Sequence, residues 1–203
     1  MRSTWHILAL AALVLGSSGC GTGFRSLTGA QELGGQAGTP HSEAPQIAAI
    51  LESRDGGAVL RQVARNGDVT TWRSAGGDTL SLEDGIIVAT QSLTPDILSV
   101  EGLFPSRWRS MARPLETTRL HRHVDGEEKV VIRGYQCEIS QGVSDIVTIA
   151  GKSRPVSRTD ESCFNADQSF TNSYWLDNSG ELVQSRQWLG DDLGYIRLQH
   201  RYP

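Results

Sequence analysis

Three groups of residues in this chain have types and spacings that chemistry uses. The first are adjacent carboxylates, Glu83-Asp84, Glu127-Glu128 and Asp191-Asp192. Two acids held about 5–9 Å apart are what a glycosidase needs to protonate a leaving oxygen and to attack or activate water. Each pair lies in or beside a glycine-containing turn, where acids are ordinary solvated residues. The second group is His121-Arg122-His123, which puts two imidazoles on one face of a strand, with His200 a candidate third from the last strand. No CxxC, HExxH or carboxylate at ligand spacing accompanies them, so they read as solvated histidines near a strand end, and no metal site is expected. The third group is Arg107-Trp108-Arg109 with Arg113 nearby. A guanidinium grips a carboxylate through two parallel hydrogen bonds, so this patch, exposed on a loop, would hold an acidic polysaccharide or a partner's acidic rim. If Trp108 instead plugs the core, the arginines only solvate its edge. No GxSxG nucleophile turn occurs, and Gly21 and Gly23 follow no strand, so neither acyl transfer nor dinucleotide binding is supported. No catalytic residue and no cofactor are expected.

These groups need elements to hold them, and the pattern from residue 46 onward is that of strands. Short alternating runs are separated by Asn66-Gly67, Gly76-Gly77, Asp84-Gly85 and Asp125-Gly126. Such dipeptides are the strongest short-range hairpin signals, because a type I′ turn needs positive φ at both central residues. The second half repeats the style, with runs over 117–124, 128–140, 143–150, 152–158, 169–177, 181–189 and 194–202. The expectation is an all-β domain, an antiparallel barrel or sandwich of about ten or eleven strands. Val131, Tyr135, Cys137 and Ile139 share one strand face, so Cys137 points inward. Trp72, Trp175 and Trp188 fall within strands and read as core. Helix is scarce: Pro95 after a capping Thr94 suggests one short turn over 95–98.

Composition narrows the class. A chain with 38% hydrophobic and 21% charged residues is globular rather than disordered. Its net charge of −4 argues against a nucleic-acid binder, which needs a basic field for phosphates.

Met1-Arg2 gives a positive start, residues 7–15 (ILALAALVL) an apolar run, and Gly16-Ser17-Ser18-Gly19 small residues before Cys20. That is a secretory signal, too short to span a bilayer. Ending in Ser18-Gly19-Cys20, the leader resembles a bacterial lipoprotein signal, which implies that Cys20 becomes an acylated N-terminus. Several acyl chains at about 0.8 kcal/mol per buried methylene hold a protein on a membrane. Gly21 rather than Asp after the cysteine implies sorting to the outer membrane. Residues 20–45, with six Gly and two Pro, then form a flexible tether reaching about 25–30 Å. In an oxidising space the remaining pair, Cys137 and Cys163, reads as a disulfide; a metal pair or a reactive thiol are the alternatives, and neither has a companion ligand at suitable spacing.

A set of short motifs carries a wider resemblance. They are Thr71-Trp72-Arg73, residues 80–90 (LSLEDGIIVAT), Asp96-Ile97-Leu98, Cys137, Cys163, Tyr174-Trp175-Leu176-Asp177, Gly180, residues 185–190 (SRQWLG) and Gly194-Tyr195. In this order, over about residues 46–200, the chain resembles the YjbF/GfcB family of bacterial lipoproteins. The resemblance implies a periplasm-facing outer-membrane lipoprotein with a β-barrel-like domain and one disulfide. Such proteins are encoded with exopolysaccharide or group 4 capsule secretion factors, including an outer-membrane barrel protein. No catalytic residues are established for the family, so none is carried over. The organisation expected is a signal peptide at 1–19, a lipidated tether at 20–45 and a β-domain at 46–203. The function expected is a non-enzymatic accessory of polysaccharide secretion that binds glycan or a secretion partner. The alternatives are a polysaccharide-modifying enzyme using paired acids and a lipid or lipoprotein carrier.

Overall fold

The computed structural model describes residues 45–201, apart from Asp55 and Leu103. The leader, the tether and Cys20 lie outside the described residues. Period-two alternation of apolar and polar residues gives thirteen strands. The first six are β1 (Gln46–Leu51), β2 (Gly56–Asn66), β3 (Val69–Arg73), β4 (Thr79–Glu83), β5 (Ile86–Gln91) and β6 (Ile97–Glu101). A single helical turn, α1 (Pro105–Trp108), precedes β7 (Leu115–Val124), β8 (Val130–Ile139), β9 (Val143–Ile149) and β10 (Lys152–Phe164). The last three are β11 (Ser169–Leu176), β12 (Leu182–Gly190) and β13 (Gly194–Arg201).

Every pairing between neighbours is antiparallel, in the order β5-β4-β3-β2-β1-β13-β12-β11-β10-β8-β7-β6, with β9 on β10. The two ends of this ladder, β5 and β6, are joined by a short turn. There Thr90 Oγ1 donates to Asp96 Oδ1 at 2.7 Å and accepts from the Ile97 N–H at 2.9 Å. The sheet thus closes almost on itself as a barrel.

Alternation fills the interior. On β11, Phe170, Asn172, Tyr174 and Leu176 are buried. Tyr174 and Leu176 pack with Ile86, Trp108, Ile139 and Leu182, and Phe170 with Tyr135 and Trp188, while Ile47, Leu51, Leu60, Leu82 and Ile196, all at most 1% exposed, form a separate part of the core. Cys137 points inward and is bonded to Cys163, its direct partner in the β8–β10 register. This is the disulfide expected of an exported pair.

Two elements differ from the expectation. Residues 95–98 form no helical turn: the Asp96 carboxylate accepts from the Ser92 and Leu93 N–H groups and makes a turn, after which Ile97 enters the core as the start of β6. The helix is instead at Pro105, a proline at a first-turn position where its missing N–H costs nothing. In addition, β10 runs on past residue 158 to Phe164. Its first half pairs with β9 and its second with β8 and β11, so the chain breaks at 140–142 to let β9 leave the barrel. The β9–β10 hairpin packs Val147, Ile149 and Val156 against Val183 and Trp175 on the outer wall. Trp175 is therefore half-buried outside the barrel, its Nε1 donating to Asp145 at 2.8 Å.

Candidate functional site

One end of the barrel gathers the starts of β1, β3 and β12, the ends of β4 and β13, and α1. They surround a cavity of about 600 Å³. The Asp84-Gly85 turn shapes its rim, with φ of 50° at Asp84 and 81° at Gly85, as a type I′ hairpin requires. A Cβ on Gly85 would collide with Leu182 Cδ2, so glycine is needed for close approach as well as for φ. The Asp84 carboxylate accepts from the Ser106 N–H and ties the rim to α1. Arg65, Arg107 and Arg109 line this mouth together with Asp68, Glu83 and Glu181. Arg109 donates to the Gly180 carbonyl. The guanidinium groups of Arg65 and Arg107 have no partner among the described residues.

The Arg107, Trp108, Arg109 and Arg113 patch is therefore divided. Trp108 is 1% exposed and packs against Tyr174, with ring centroids 6.3 Å apart. It is a plug, not a surface platform. The Arg113 guanidinium stacks 5.4 Å from the Trp108 ring centre and donates to Thr159 Oγ1. Only Arg107 and Arg109 face the mouth.

A polar cluster lies inside the barrel. Arg119 on β7 and Glu161 on β10 form a two-pronged pair at 3.0 and 2.8 Å. Tyr174 Oη and Asn172 Nδ2 also donate to Glu161 Oε2. Burial opposes the charge on Arg119 most strongly, but the Glu161 charge, Tyr174 and the hydrogen bond to Glu161 together outweigh it, and the guanidinium is held more firmly protonated than usual. Burial first, and then the Glu161 charge, push the Tyr174 hydroxyl well above its ordinary range. Every strong charge here is matched, so the cluster fixes strand register rather than presenting a reactive group.

The histidines are not the solvated strand-end residues that their sequence suggests. His121 is 2% exposed, within 6.1 Å (centroid to centroid) of Tyr135, Phe170 and Trp188. Neither ring nitrogen has a hydrogen-bond partner among the described residues. Burial, with Arg119 and His123 adding repulsion, lowers its pKa to about 2. His200 is also buried, which lowers its pKa to about 4. His121 and His123 do share a face, as the strand spacing predicts, but no histidine joins a group of three ligands among the described residues.

The acid pairs are split among separate tasks. Glu83 lines the mouth while Asp84 holds α1; Glu127 pairs with Lys129; Glu128 sits in its turn at positive φ; Asp191 accepts from Gln168 and faces Arg133. A larger groove of about 860 Å³ crosses the outer wall of β7, β8 and β10, but its acid, Glu101, is tied to Arg122. The Arg119–Glu161 pair and the place of Arg65 in the mouth escape a linear reading. The only signal for the former is two charges at inward positions of alternating strands, visible once the register is known.

Comparison with known proteins follows this geometry. A family model described as group 4 capsule polysaccharide lipoprotein gfcB, YjbF matches residues 40–200. The crystal structure of the hypothetical lipoprotein YmcC from Escherichia coli K12 is similar, with a TM-score of 0.68 at 17% identity, covering 79% of this chain and 84% of that one. At that identity the likeness shows the fold. No curated protein sequence matches.

Proposed function

The chain belongs to the YjbF family of group 4 capsule polysaccharide lipoproteins, and from that premise we propose a non-enzymatic accessory of capsule or exopolysaccharide secretion that holds glycan or a secretion partner beneath the outer membrane. One observation carries the reading. The barrel interior is packed with side chains, whereas the mouth presents the Arg65 and Arg107 guanidinium groups, with no bonded partner among the described residues, beside hydroxyl and carboxylate groups. Guanidinium and carboxylate groups side by side are suited to the hydroxyls and acids of a sugar chain or to the polar rim of a partner.

In this reading residues 1–19 direct export, Cys20 carries the acyl chains, and residues 20–45 let the domain at 46–203 reach into the periplasm. The experiment is complementation of a clean deletion. The deletion strain loses surface polysaccharide, the wild-type gene restores it, and Arg65→Gln with Arg107→Gln does not. Both residues are at the surface with no partner among the described residues, so the variant folds, which circular dichroism and thermal melting check. Full restoration by the double variant removes the mouth from the function, and a deletion strain with normal polysaccharide removes the function itself.

A further inference from the structure

Above the mouth, β2 carries another cation on the outer wall of the barrel. Arg61 stands directly opposite Arg73 of β3, and both are exposed. Neither guanidinium has an ion-pair or hydrogen-bond partner among the described residues. Like charges placed directly across a strand pair repel. The chain as a whole is acidic, yet it places no carboxylate between these two.

The register extends the line to both sides. Gln46 of β1 is opposite Arg61, Thr79 of β4 is opposite Arg73, and Gln91 of β5 is opposite Thr79. The sequence neighbours Ile47, Leu60, Trp72 and Leu80 are buried in the core, so Gln46, Arg61, Arg73 and Gln91 project outward, with Thr79 between them buried at 9% exposure. Strands lie about 4.8 Å apart, so five positions extend over about 19 Å. Thr79 is bonded to the Gly77 carbonyl and forms a floor, Gln91 offers an amide on β5, and on the other side Gln46 offers an amide with Arg201 of β13 directly opposite it. A lone anion needs only the two arginines. A cation pair with an amide on each side of it along the row fits a longer ligand, an extended polymer with hydroxyls on either side of a charged group.

We propose that the outer wall of β1–β5 binds a carboxylate-bearing polysaccharide laid across the strands, with Arg61 and Arg73 gripping one carboxylate between them. This rests on the reading that the protein handles polysaccharide, and it names the substrate class and a surface that adjoins the mouth at Gln46. The bound carboxylate turns the Arg61–Arg73 repulsion into two charge-assisted contacts.

The test uses the purified full-length protein with polygalacturonate, neutral dextran and phosphatidylglycerol vesicles, followed by calorimetry and co-sedimentation. Polygalacturonate binds and weakens as salt rises; dextran binds at least tenfold more weakly. Arg61→Gln with Arg73→Gln loses at least tenfold in polygalacturonate affinity, while its unliganded melting temperature is equal to or above wild type. Undiminished binding by this variant overturns the proposal, as does binding to vesicles without binding to polygalacturonate. The mouth reading is judged separately, by the export phenotype of Arg65→Gln with Arg107→Gln, so wall failure and mouth failure are told apart.

Discussion

Two buried imidazoles set much of the pH response expected of this protein. An unfolded histidine titrates near 6.5, whereas His121 in the barrel is lowered to about 2 and His200 to about 4. Both folded values are depressed, so below pH 6.5 the unfolded chain takes up protons that the native state refuses. Stability is full above that pH and falls as pH drops through 4 for His200 and on toward 2 for His121. Each histidine contributes a slope of at most about 1.4 kcal/mol per pH unit, so the two together give up to about 2.8 between pH 6.5 and 4, and below 4 only His121 adds to it. Urea unfolding at pH 7, 6 and 5 measures it, and His121→Phe should roughly halve the slope; an unaltered slope would clear His121 of the role. Glu161 is a further critical residue. Replacing it by Gln leaves the Arg119 charge buried without its counter-charge, at a cost of about 3–5 kcal/mol in a denaturant titration. Arg119→Met combined with Glu161→Leu should cost less than either single change, because no buried charge remains.

Among elements, the β9–β10 hairpin is the one the barrel itself does not require. Its contact with the outer wall runs through Trp175, which joins Val147, Ile149 and Val156 to Val183 and bonds Asp145. Trp175→Ala should cost about 2–3 kcal/mol, below the roughly 3–5 kcal/mol of a fully buried tryptophan. It should also speed proteolytic cutting at Ala150-Gly151, the hairpin tip, before the disulfide-linked β8–β10 region opens. Simultaneous cutting everywhere would show that the hairpin unfolds only with the whole domain. Strand-level detail of this kind was legible in part. The Asp84-Gly85 turn and the inward Cys137 follow from dipeptide and alternation alone. The continuation of β10 past residue 158 does not, because one strand edge there changes partner, a matter of pairing rather than of propensity.

At the scale of the whole molecule, the expectation concerns where the barrel is held. Cys20→Ser should move the protein from the membrane to the soluble fraction and abolish labelling by radioactive palmitate. A variant that still fractionates with membranes would mean that something other than acylation holds it. The described chain begins at Pro45, which lines the mouth itself. In the proposed reading, acyl anchor, tether and mouth follow one another along the sequence, an order suited to meeting a partner embedded in the outer membrane.

Sequence alone determined the all-β class, the disulfide pair and the family resemblance, because each is written in local pattern: turn dipeptides, alternation, ordered short motifs. Tertiary structure decided which charged and aromatic residues are surface and which are core. Arg107-Trp108-Arg109 reads as one patch along the chain, but a helical turn separates its side chains, sending the tryptophan into the barrel and the arginines to the rim. Arg61 and Arg73, twelve positions apart, become neighbours only when two strands pair in one register and not the next. Burial and register are properties of the closed sheet, and no single segment contains them.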